Sequence, residues 1–334
     1  MIEPSLRKLL WPASHRLRYA EVPDWVQESL RAAFPQLRVV VAWDKEAVSR
    51  EIEDCEILVS WKLDPDLLVR CRKLRWIHSP AAGVTQLLGP ELVASDVIVT
   101  NATTVHAIPV AEQAIALLFA LARRLPDCFR YQAERRWGQL ESWEQPGHLP
   151  TEVNGMTLGL VGLGSIGREV AARAKALGMR VAAVKRDPAR GADCADRVYS
   201  PQQLHLLLQE ADYVVLAAPD TLETRHLIGD AALRHMKPTA FLINVARGSL
   251  VDTEALVRAL EAGTIAGAAL DVTDPEPLPP EHPLWKLPNV IIIPHLAGAT
   301  DRYWQRQSEL LQENLRRYLA GEPLLNVVDK RKGY

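Results

Sequence analysis

Residues Met156 to Gly167 read MTLGLVGLGSIG, and this stretch decides the fold of the chain. An apolar run typical of a buried strand leads directly into the pattern Gly-x-Gly-x-x-Gly, with its glycines at Gly162, Gly164 and Gly167. The residues that follow, Ile166 to Leu177, have helical spacing. A glycine turn between a strand and a helix lets the backbone approach a pyrophosphate at the positive end of the helix dipole. The predicted dinucleotide-binding residues are Gly162, Gly164, Ser165, Ile166 and Gly167.

Further short apolar runs follow this loop at the spacing of alternating strands and helices. The predicted strands are Arg180 to Val184, Tyr213 to Ala218, Ala240 to Asn244, Gly267 to Leu270 and Val290 to Ile293. Helical stretches stand between the earlier ones, including Pro201 to Gln209 and Asp252 to Ala262. This order predicts a doubly wound parallel sheet of the Rossmann type, an NAD(P)-binding domain that we place at residues 104–298.

The first hundred residues show the same alternation and predict a second α/β domain. The predicted strands are Leu37 to Trp43, Glu56 to Trp61, Leu74 to His78 and Val97 to Thr100. Long helices are predicted from Val105 to Leu125 and from Gly298 to about Leu319. The fold class is therefore α/β with two doubly wound parallel-sheet domains. The nucleotide domain is inserted in a flavodoxin-like, discontinuous substrate-binding domain of residues 1–103 and 299–334.

A less regular segment, Arg130 to Thr151, carries Trp137, Trp143 and several glycines and prolines, and we interpret it as a loop or arm. On a monomer, these two tryptophans would expose apolar surface to water, which is unfavourable. We therefore expect the segment to pack on a partner subunit. The predicted assembly is a homodimer.

Composition narrows the classes of partner. The formal net charge is −2, from 39 basic and 41 acidic residues, so no electrostatic footprint for nucleic acid is present. The longest apolar run, Ala114 to Ala122, is too short to span a bilayer, and the amino terminus lacks the layout of a secretory signal. Four scattered cysteines without a C-x-x-C pair suit a reducing compartment and predict no metal site. We expect a cytoplasmic enzyme that acts on a small molecule.

The residues after the second strand of the nucleotide domain distinguish two cofactors. In such sheets an acidic side chain about 20 residues after the glycine loop hydrogen-bonds the ribose 2′-hydroxyl of NAD. Here the strand runs into Lys185 and Arg186, and Asp187 comes two positions late. Two cations suit a 2′-phosphate, so NADP(H) is favoured over NAD(H). The alternative is that both are solvated surface charges.

Three chemically useful side chains stand after strands of this sheet, on the edge where ligands bind in open α/β folds. Arg247 follows the strand ending at Asn244, Glu276 follows the strand ending at Leu270, and His295 ends the last strand. Arginine can bind a carboxylate and polarise a carbonyl, and histidine can donate a proton near neutral pH. A glutamate beside the histidine stabilises its protonated form. We interpret none of the other histidines as combining a strand-end position with a nearby arginine and carboxylates. His106 comes closest to this combination.

Three ordered motifs now support a resemblance to a known family. They are NVARGSLVD (Asn244 to Asp252), LDVTDPEPLPPEHPLW (Leu270 to Trp285) and PHLAGAT (Pro294 to Thr300). With these the chain resembles the D-isomer-specific 2-hydroxyacid dehydrogenases, especially the glyoxylate/hydroxypyruvate reductase branch. The resemblance implies hydride transfer between NAD(P)H and a small 2-keto acid to give the D-2-hydroxy acid. It makes Arg247, Glu276 and His295 the catalytic residues.

The resemblance also implies further binding residues. In SPAAGVTQL (Ser79 to Leu87) the main-chain N–H groups near Ala82 and Gly83 would bind the substrate carboxylate, together with Arg247 and His295. The residues assigned to the cofactor are Thr104, Pro219, Thr224, Ala246 and Asp271, the last toward the nicotinamide carboxamide. The chain departs from the family at Pro80, Thr85 and His106, which leaves the shape of the substrate pocket open.

Two alternatives remain at this point. One is a cofactor-binding regulatory protein of the corepressor kind without turnover, which need not keep a proton-transfer set. The other is different chemistry on the same fold, such as formate dehydrogenase or adenosylhomocysteine hydrolase. Formate dehydrogenases carry glutamine beside the histidine, whereas this chain has Glu276.

Overall fold

The structure, a computed structural model, describes residues 7–13, 21–144, 149–188 and 193–334. The prediction that the chain lacks a secretory signal concerns amino-terminal residues outside this range. The chain divides into two compact units, Met1–His106 with Thr300–Tyr334, and Ala107–Ala299. We refer to them as unit 1 and unit 2. The assignment of substrate and nucleotide binding to the predicted domains stays a prediction.

Strands and helices alternate along both units. The strands are β1 (Arg7–Pro12), β2 (Leu37–Ala42), β3 (Ile57–Val59), β4 (Trp76–His78), β5 (Ile98–Thr100), β6 (Thr157–Val161), β7 (Arg180–Val184), β8 (Arg197–Tyr199), β9 (Tyr213–Leu216), β10 (Phe241–Asn244), β11 (Gly267–Leu270) and β12 (Val290–Ile292). The α-helices are α1 (Asp24–Ala33), α2 (Lys45–Glu51), α3 (Pro65–Arg70), α4 (Pro90–Ala94), α5 (Thr103–Ala122), α6 (Leu125–Ala133), α7 (Gln139–Glu144), α8 (Ser165–Ala176), α9 (Leu204–Glu210), α10 (Asp230–His235), α11 (Thr253–Glu261) and α12 (Tyr303–Ala320).

Unit 1 contains a parallel sheet in the order β2-β1-β3-β4-β5. This is the flavodoxin-like strand order, so the predicted fold class is confirmed for this unit. Strand β1, which lies inside the sheet, was missed from the sequence. Its Lys8 reads as a surface residue but is only 4% exposed. The Lys8 ammonium donates to Glu51 at 2.8 Å and also to Asp54, and these contacts let a charge lie on a covered sheet face.

Unit 2 contains a seven-stranded parallel sheet in the order β12-β11-β10-β9-β6-β7-β8. Counted from β6, this is the Rossmann order 3-2-1-4-5-6 with one strand added at the far edge, which confirms the predicted nucleotide-binding architecture. The edge strand β8 was missed because it has only three residues and an arginine at its start. Apolar side chains cover both faces of the sheet and form two separate clusters.

Helix α5 is the one helix, among the described residues, that is long and apolar enough to cross a membrane. Its apolar side chains, from Val110 to Ala122, are instead packed into the core beside β6 and α8. Burial covers 56% of its apolar window, so it explains part of the hydrophobic circumference of the helix.

The expectation that Arg130 to Thr151 forms a loop or arm is wrong for residues 130–133 and 139–144, which are helical, whereas residues 134–138 and 149–151 are irregular. Helix α6 extends into it and α7 lies within it, while residues 145–148 lie outside the described range. A positive φ of 54° at Arg124 ends the run of α5, and a proline in the first turn of α6 begins the new helix. A proline therefore marks the start of a helix here. The side chains of Trp137 and Trp143 are exposed, at 88% and 62%.

Candidate active site

The glycine loop joins β6 to α8 as the sequence predicts, and its geometry requires glycine at two positions. Gly162 has φ of 105°, a conformation that other residues rarely adopt. A Cβ atom on Gly167 would lie 2.2 Å from the Gly162 carbonyl oxygen, so only glycine lets α8 begin this close to the turn. A Cβ on Gly164, in contrast, would meet nothing within 4 Å. The loop therefore has open space above its middle glycine.

The start of α8 fits a phosphate group. Gly164 is its N-cap residue, no side chain caps the helix, and its first turn carries no acidic residue. The first N–H groups of a helix have no acceptor within the helix, and the helix dipole attracts negative charge to them. With Ser165, Ile166 and Gly167 in this first turn, the loop suits a dinucleotide pyrophosphate.

The two cations predicted to select the cofactor follow β7 directly. The Lys185 main chain continues the sheet by donating to the Tyr199 carbonyl at 3.0 Å. Arg186 forms an ion pair with Glu223 at 3.0 Å, and both side chains are well exposed. Glu223 belongs to the loop that follows β9, so the ion pair joins the loops after β7 and β9, the two strands that flank β6 in the sheet. The sequence analysis did not anticipate this carboxylate beside Arg186.

The β9 loop also holds Pro219 and Thr224. The Thr224 hydroxyl donates to the Pro219 carbonyl at 2.7 Å and accepts from the Thr221 N–H at 2.8 Å. Thr224 thus closes the loop on itself. The structure places it next to Glu223, at the same strand-end edge as the glycine loop.

Arg247 follows β10 on a turn tied together by Asn244. The buried Asn244 side chain accepts from the Ala246 N–H at 3.1 Å and donates to the Arg247 carbonyl at 2.8 Å. Gly248 lies so close to the β11 loop that a Cβ would be 2.0 Å from the Thr273 carbonyl oxygen. Sequence reasoning noted Asn244 only as a strand end. Its amide is the group that shapes the turn before Arg247.

Asp271 holds the backbone around His295. One of its carboxylate oxygens accepts from the N–H groups of Leu296 and Ala297, at 2.8 and 3.0 Å, and its carbonyl accepts from the His295 N–H at 2.8 Å. Burial raises the pKa of Asp271, and the two N–H groups offset part of that effect. His295 itself has φ of 52°, a left-handed conformation that costs a non-glycine residue about 1–3 kcal/mol. The Asp271 contacts hold the residue in that conformation.

His295 and Glu276 form the central contact of the site. The imidazole Nδ1 lies 2.5 Å from Glu276 Oε1, and the two side chains are 47% and 41% exposed. Within the described residues the other ring nitrogen, Nε2, has no protein partner. A carboxylate on one nitrogen fixes the ring orientation and leaves the second nitrogen able to pass a proton to a bound molecule.

The remaining predicted residues lie in unit 1. Ala82 and Gly83 are half-buried in the loop after β4, and Thr104 is in the first turn of α5, where its hydroxyl accepts from the Asn326 amide at 2.9 Å. The structure thus brings together in unit 2 the glycine loop, Lys185, Arg186, Pro219, Thr224, Ala246, Arg247, Asp271, Glu276 and His295. It places Ala82, Gly83 and Thr104 in the other unit.

A second histidine, His78, also ends a strand, but its partners are of another kind. They are the neutral side chains of Thr100 and Gln307, whereas the partner of His295 is a carboxylate. No group of three potential metal ligands occurs in the part of the chain that the structure describes.

Comparison with known proteins places these observations in a family. The family model described as D-isomer specific 2-hydroxyacid dehydrogenase, NAD binding domain, matches residues 115–297. A glyoxylate reductase from Korarchaeum cryptofilum is 40% identical over 292 residues, which cover 86% of each chain.

Two solved structures have the same architecture over nearly the whole chain. A D-isomer specific 2-hydroxyacid dehydrogenase family protein from Aeromonas salmonicida has a TM-score of 0.82 and 32% identity, covering 98% of this chain and 100% of that one. An NADPH-dependent glyoxylate/hydroxypyruvate reductase from Sinorhizobium meliloti, solved with NADP and malonate, has a TM-score of 0.77 and 30% identity, covering 98% of both chains.

Proposed function

Because this chain belongs to the D-isomer specific 2-hydroxyacid dehydrogenase family, we propose that it reduces glyoxylate or hydroxypyruvate with NADPH as its preferred cofactor. The chain is an NAD(P)-dependent 2-keto acid reductase by family. The observation that carries the proposed reduction is the 2.5 Å contact between His295 and Glu276 at the strand-end edge of the unit 2 sheet.

In the proposed mechanism His295 is the acid that protonates the substrate carbonyl oxygen. Glu276 holds Nδ1 and stabilises the charged imidazole, so the proton leaves from Nε2. Arg247 binds the keto acid and draws electron density from its carbonyl. When bound, NADPH would supply the hydride for C2 of the substrate, and the proton from His295 would complete the hydroxyl group. In the reverse direction the neutral His295 accepts that proton.

The cofactor preference rests on charge at the end of β7. A 2′-phosphate placed beside Lys185 and Arg186 can form charge-assisted hydrogen bonds with both side chains. The Glu223 carboxylate already occupies one side of Arg186, so the phosphate must compete with it. The ion pair is exposed and therefore weak, so a phosphate dianion that also contacts Lys185 can displace Glu223. The remaining assigned contacts, from Thr104, Pro219, Thr224, Ala246 and Asp271, belong to the same proposal.

The substrate carboxylate is assigned to the main-chain N–H groups of Ala82 and Gly83. No large side chain stands at either residue, so the backbone is accessible to a small anion. A small keto acid with one carboxylate and one carbonyl is the substrate class that this set fits.

We also propose that the chain is a cytoplasmic homodimer. The exposed side chains of Phe129, Trp137, Leu140 and Trp143 lie on or between α6 and α7. Four large apolar side chains exposed within 15 residues are more than a monomer usually leaves in water, and a second copy is the partner that we propose for them.

A regulatory role without turnover is less well supported. A sensor of the cofactor does not need an imidazole held by a carboxylate, or a backbone conformation at His295 that costs energy to maintain. The pair is expected in an enzyme.

The proposed function is tested by steady-state assay of the purified chain with glyoxylate, hydroxypyruvate, pyruvate and a bulkier 2-keto acid, each with NADPH and NADH. We expect the highest kcat/KM with NADPH and one of the first two acids, and D-glycerate as the product from hydroxypyruvate. Absence of reduction with every acid and both cofactors would refute the proposal.

A further inference from the structure

The loop after β4, Ser79 to Gly83, is held in place through its carbonyl groups. The Pro80 carbonyl lies 3.3 Å from the Tyr303 hydroxyl and 3.3 Å from the Nε2 atom of His106. The Ala81 carbonyl accepts from the Ala102 N–H at 3.0 Å, and the Ala82 carbonyl accepts from the Asn101 side-chain amide at 3.1 Å. Three successive carbonyls therefore have partners within unit 1.

The direction of each carbonyl sets the direction of the next N–H group. In a planar trans peptide the C=O and N–H bonds point in opposite directions. The Ala81 carbonyl therefore orients the Ala82 N–H, and the Ala82 carbonyl orients the Gly83 N–H. Within the described ranges neither of these N–H groups donates a hydrogen bond to the protein. Both are thus turned away from their own unit and are available to an anion.

We propose that Asn101, supported by Tyr303 and His106, is a positioning residue that aims the N–H groups of Ala82 and Gly83 at the substrate carboxylate. The inference rests on the proposed function, in which those two N–H groups bind the keto acid. Asn101 orients the Gly83 N–H directly. Tyr303 and His106 hold the start of the same loop through one shared acceptor, the Pro80 carbonyl.

The surroundings of Asn101 show that its side chain is itself fixed. Its Oδ1 atom accepts from the Thr103 N–H at 3.2 Å, and its main-chain groups are paired with Asn326 at 3.1 and 3.2 Å. Tyr303 is buried against Ala102 and its ring lies 5.7 Å from that of His106. Donors that are fixed on α5, α12 and the β5 loop can hold a carbonyl more firmly than a mobile surface side chain can.

Asn101→Ser is the variant that separates positioning from folding. Serine retains a hydroxyl that can accept from the Thr103 N–H, but it is too short to reach the Ala82 carbonyl and adds no charge. We expect the KM for the keto acid and the inhibition constant of oxalate to rise about tenfold, as for one hydrogen bond to a charged group. We expect kcat to change less than about threefold, because the residues that transfer the proton are untouched. The dissociation constant of NADPH, measured by fluorescence, should be unchanged.

Tyr303 and His106 are tested together, since either donor alone can hold Pro80. Tyr303→Phe and His106→Phe each keep an aromatic ring at the position and remove the group that contacts the Pro80 carbonyl. Each single change should raise the KM of the keto acid less than about threefold, and the two together should raise it about tenfold. Tyr318→Phe is the matched control on the same helix. It removes a hydroxyl that donates to Glu56 at 2.8 Å, and it should leave this KM unchanged.

The outcomes separate the two proposals. A wild-type chain that reduces no 2-keto acid overturns the proposed function and this inference with it. An active wild type, with Asn101→Ser and the double variant within about twofold of it in KM, overturns the inference alone. Equal rises in the KM of the keto acid and in the dissociation constant of NADPH would also overturn it, since they indicate a general disturbance of the fold. If Asn101→Ser does not fold, Asn101→Thr, which also keeps a hydroxyl for the Thr103 N–H and adds no charge, takes its place and must show the same rise in the KM of the keto acid.

Discussion

Two histidines at the ends of parallel strands, one in each unit, differ in every property that matters for chemistry. His78 is fully buried at the end of β4, between the Thr100 hydroxyl at 2.9 Å and the Gln307 amide at 2.9 Å. Burial lowers the pKa of His78 to about 3, so the ring is neutral in the folded protein. His295 follows β12 with 47% of its side chain exposed and a carboxylate on Nδ1.

The difference shows that position at a strand end does not by itself make a catalytic residue. The partners of His78 are neutral and stabilise an uncharged ring, whereas Glu276 stabilises a charged one. The two rings also differ in exposure, because the ring of His295 is open to a substrate and the ring of His78 is buried. A titratable residue at a sheet edge therefore needs both an ionic partner and an open face before a proton-transfer role is assigned to it.

The largest expected effect is on His295. His295→Ala should lower kcat by about 10² to 10⁴, the range for loss of a general acid, and should leave the unfolding midpoint and NADPH affinity near wild type. Steady-state kinetics and fluorescence titration measure these quantities. His235→Ala, an exposed histidine of the same unit, is the control and should retain full activity. A His295→Ala enzyme with near-normal turnover would remove the residue from the mechanism.

His78 should show the opposite behaviour, with an effect on stability. Its folded-state pKa is depressed, so the stability due to the neutral ring is present above the unfolded value of 6.5 and is lost as pH falls toward 3. At about pH 5 the loss is about 2 kcal/mol relative to neutral pH. Urea unfolding at the two pH values should show this loss in wild type and in His295→Ala. His78→Gln, which cannot titrate, should lose this part of the pH dependence, and an unchanged dependence would contradict the assignment.

Replacing the exposed cations after β7 should have a smaller effect, on the choice of cofactor. Arg186→Ala should reduce the NADPH preference by roughly 1–3 kcal/mol in kcat/KM, and Lys185→Asp should favour NADH. The preference of the wild type should also narrow at high salt, because exposed charges are screened. Arg258→Ala, an exposed arginine paired with Asp230 on α10, is the matched control. A wild-type enzyme more efficient with NADH would show that Lys185 and Arg186 serve only as surface charges.

How far the sequence predicts the structure depends on whether the signal is local. Apolar strands and the glycine loop are local patterns, and Arg247, Glu276 and His295 could be proposed from the sequence because their own side chains suit the chemistry. Strand β1 was missed because the partners that allow Lys8 to be buried, Glu51 and Asp54, are more than forty residues away in the chain. Local composition cannot show such a pairing.

The site shows the same limit. The side-chain amides of Asn101 and Asn244 hold main-chain groups, and the sequence does not show which carbonyl or N–H group an asparagine will reach. The Glu223 carboxylate reaches Arg186 from a different strand-end loop, 37 residues later. Cys55 and Cys71, scattered in the sequence, lie side by side in unit 1, where a hydrogen bond between the thiols and burial raise the pKa of Cys55. None of these contacts can be predicted until the order of the strands in the sheets is known.

Whether the His295–Glu276 pair transfers the proton is tested most directly by the pH dependence of kcat for reduction in wild type and Glu276→Gln. Glutamine keeps the hydrogen bond to Nδ1 but removes the charge that stabilises the protonated ring. The alkaline limb of the profile, and with it the optimum, should therefore move to lower pH, while Glu281→Gln in the same loop should reproduce the wild-type curve. Superimposable profiles for wild type and Glu276→Gln would contradict the pair and leave Glu276 a structural residue.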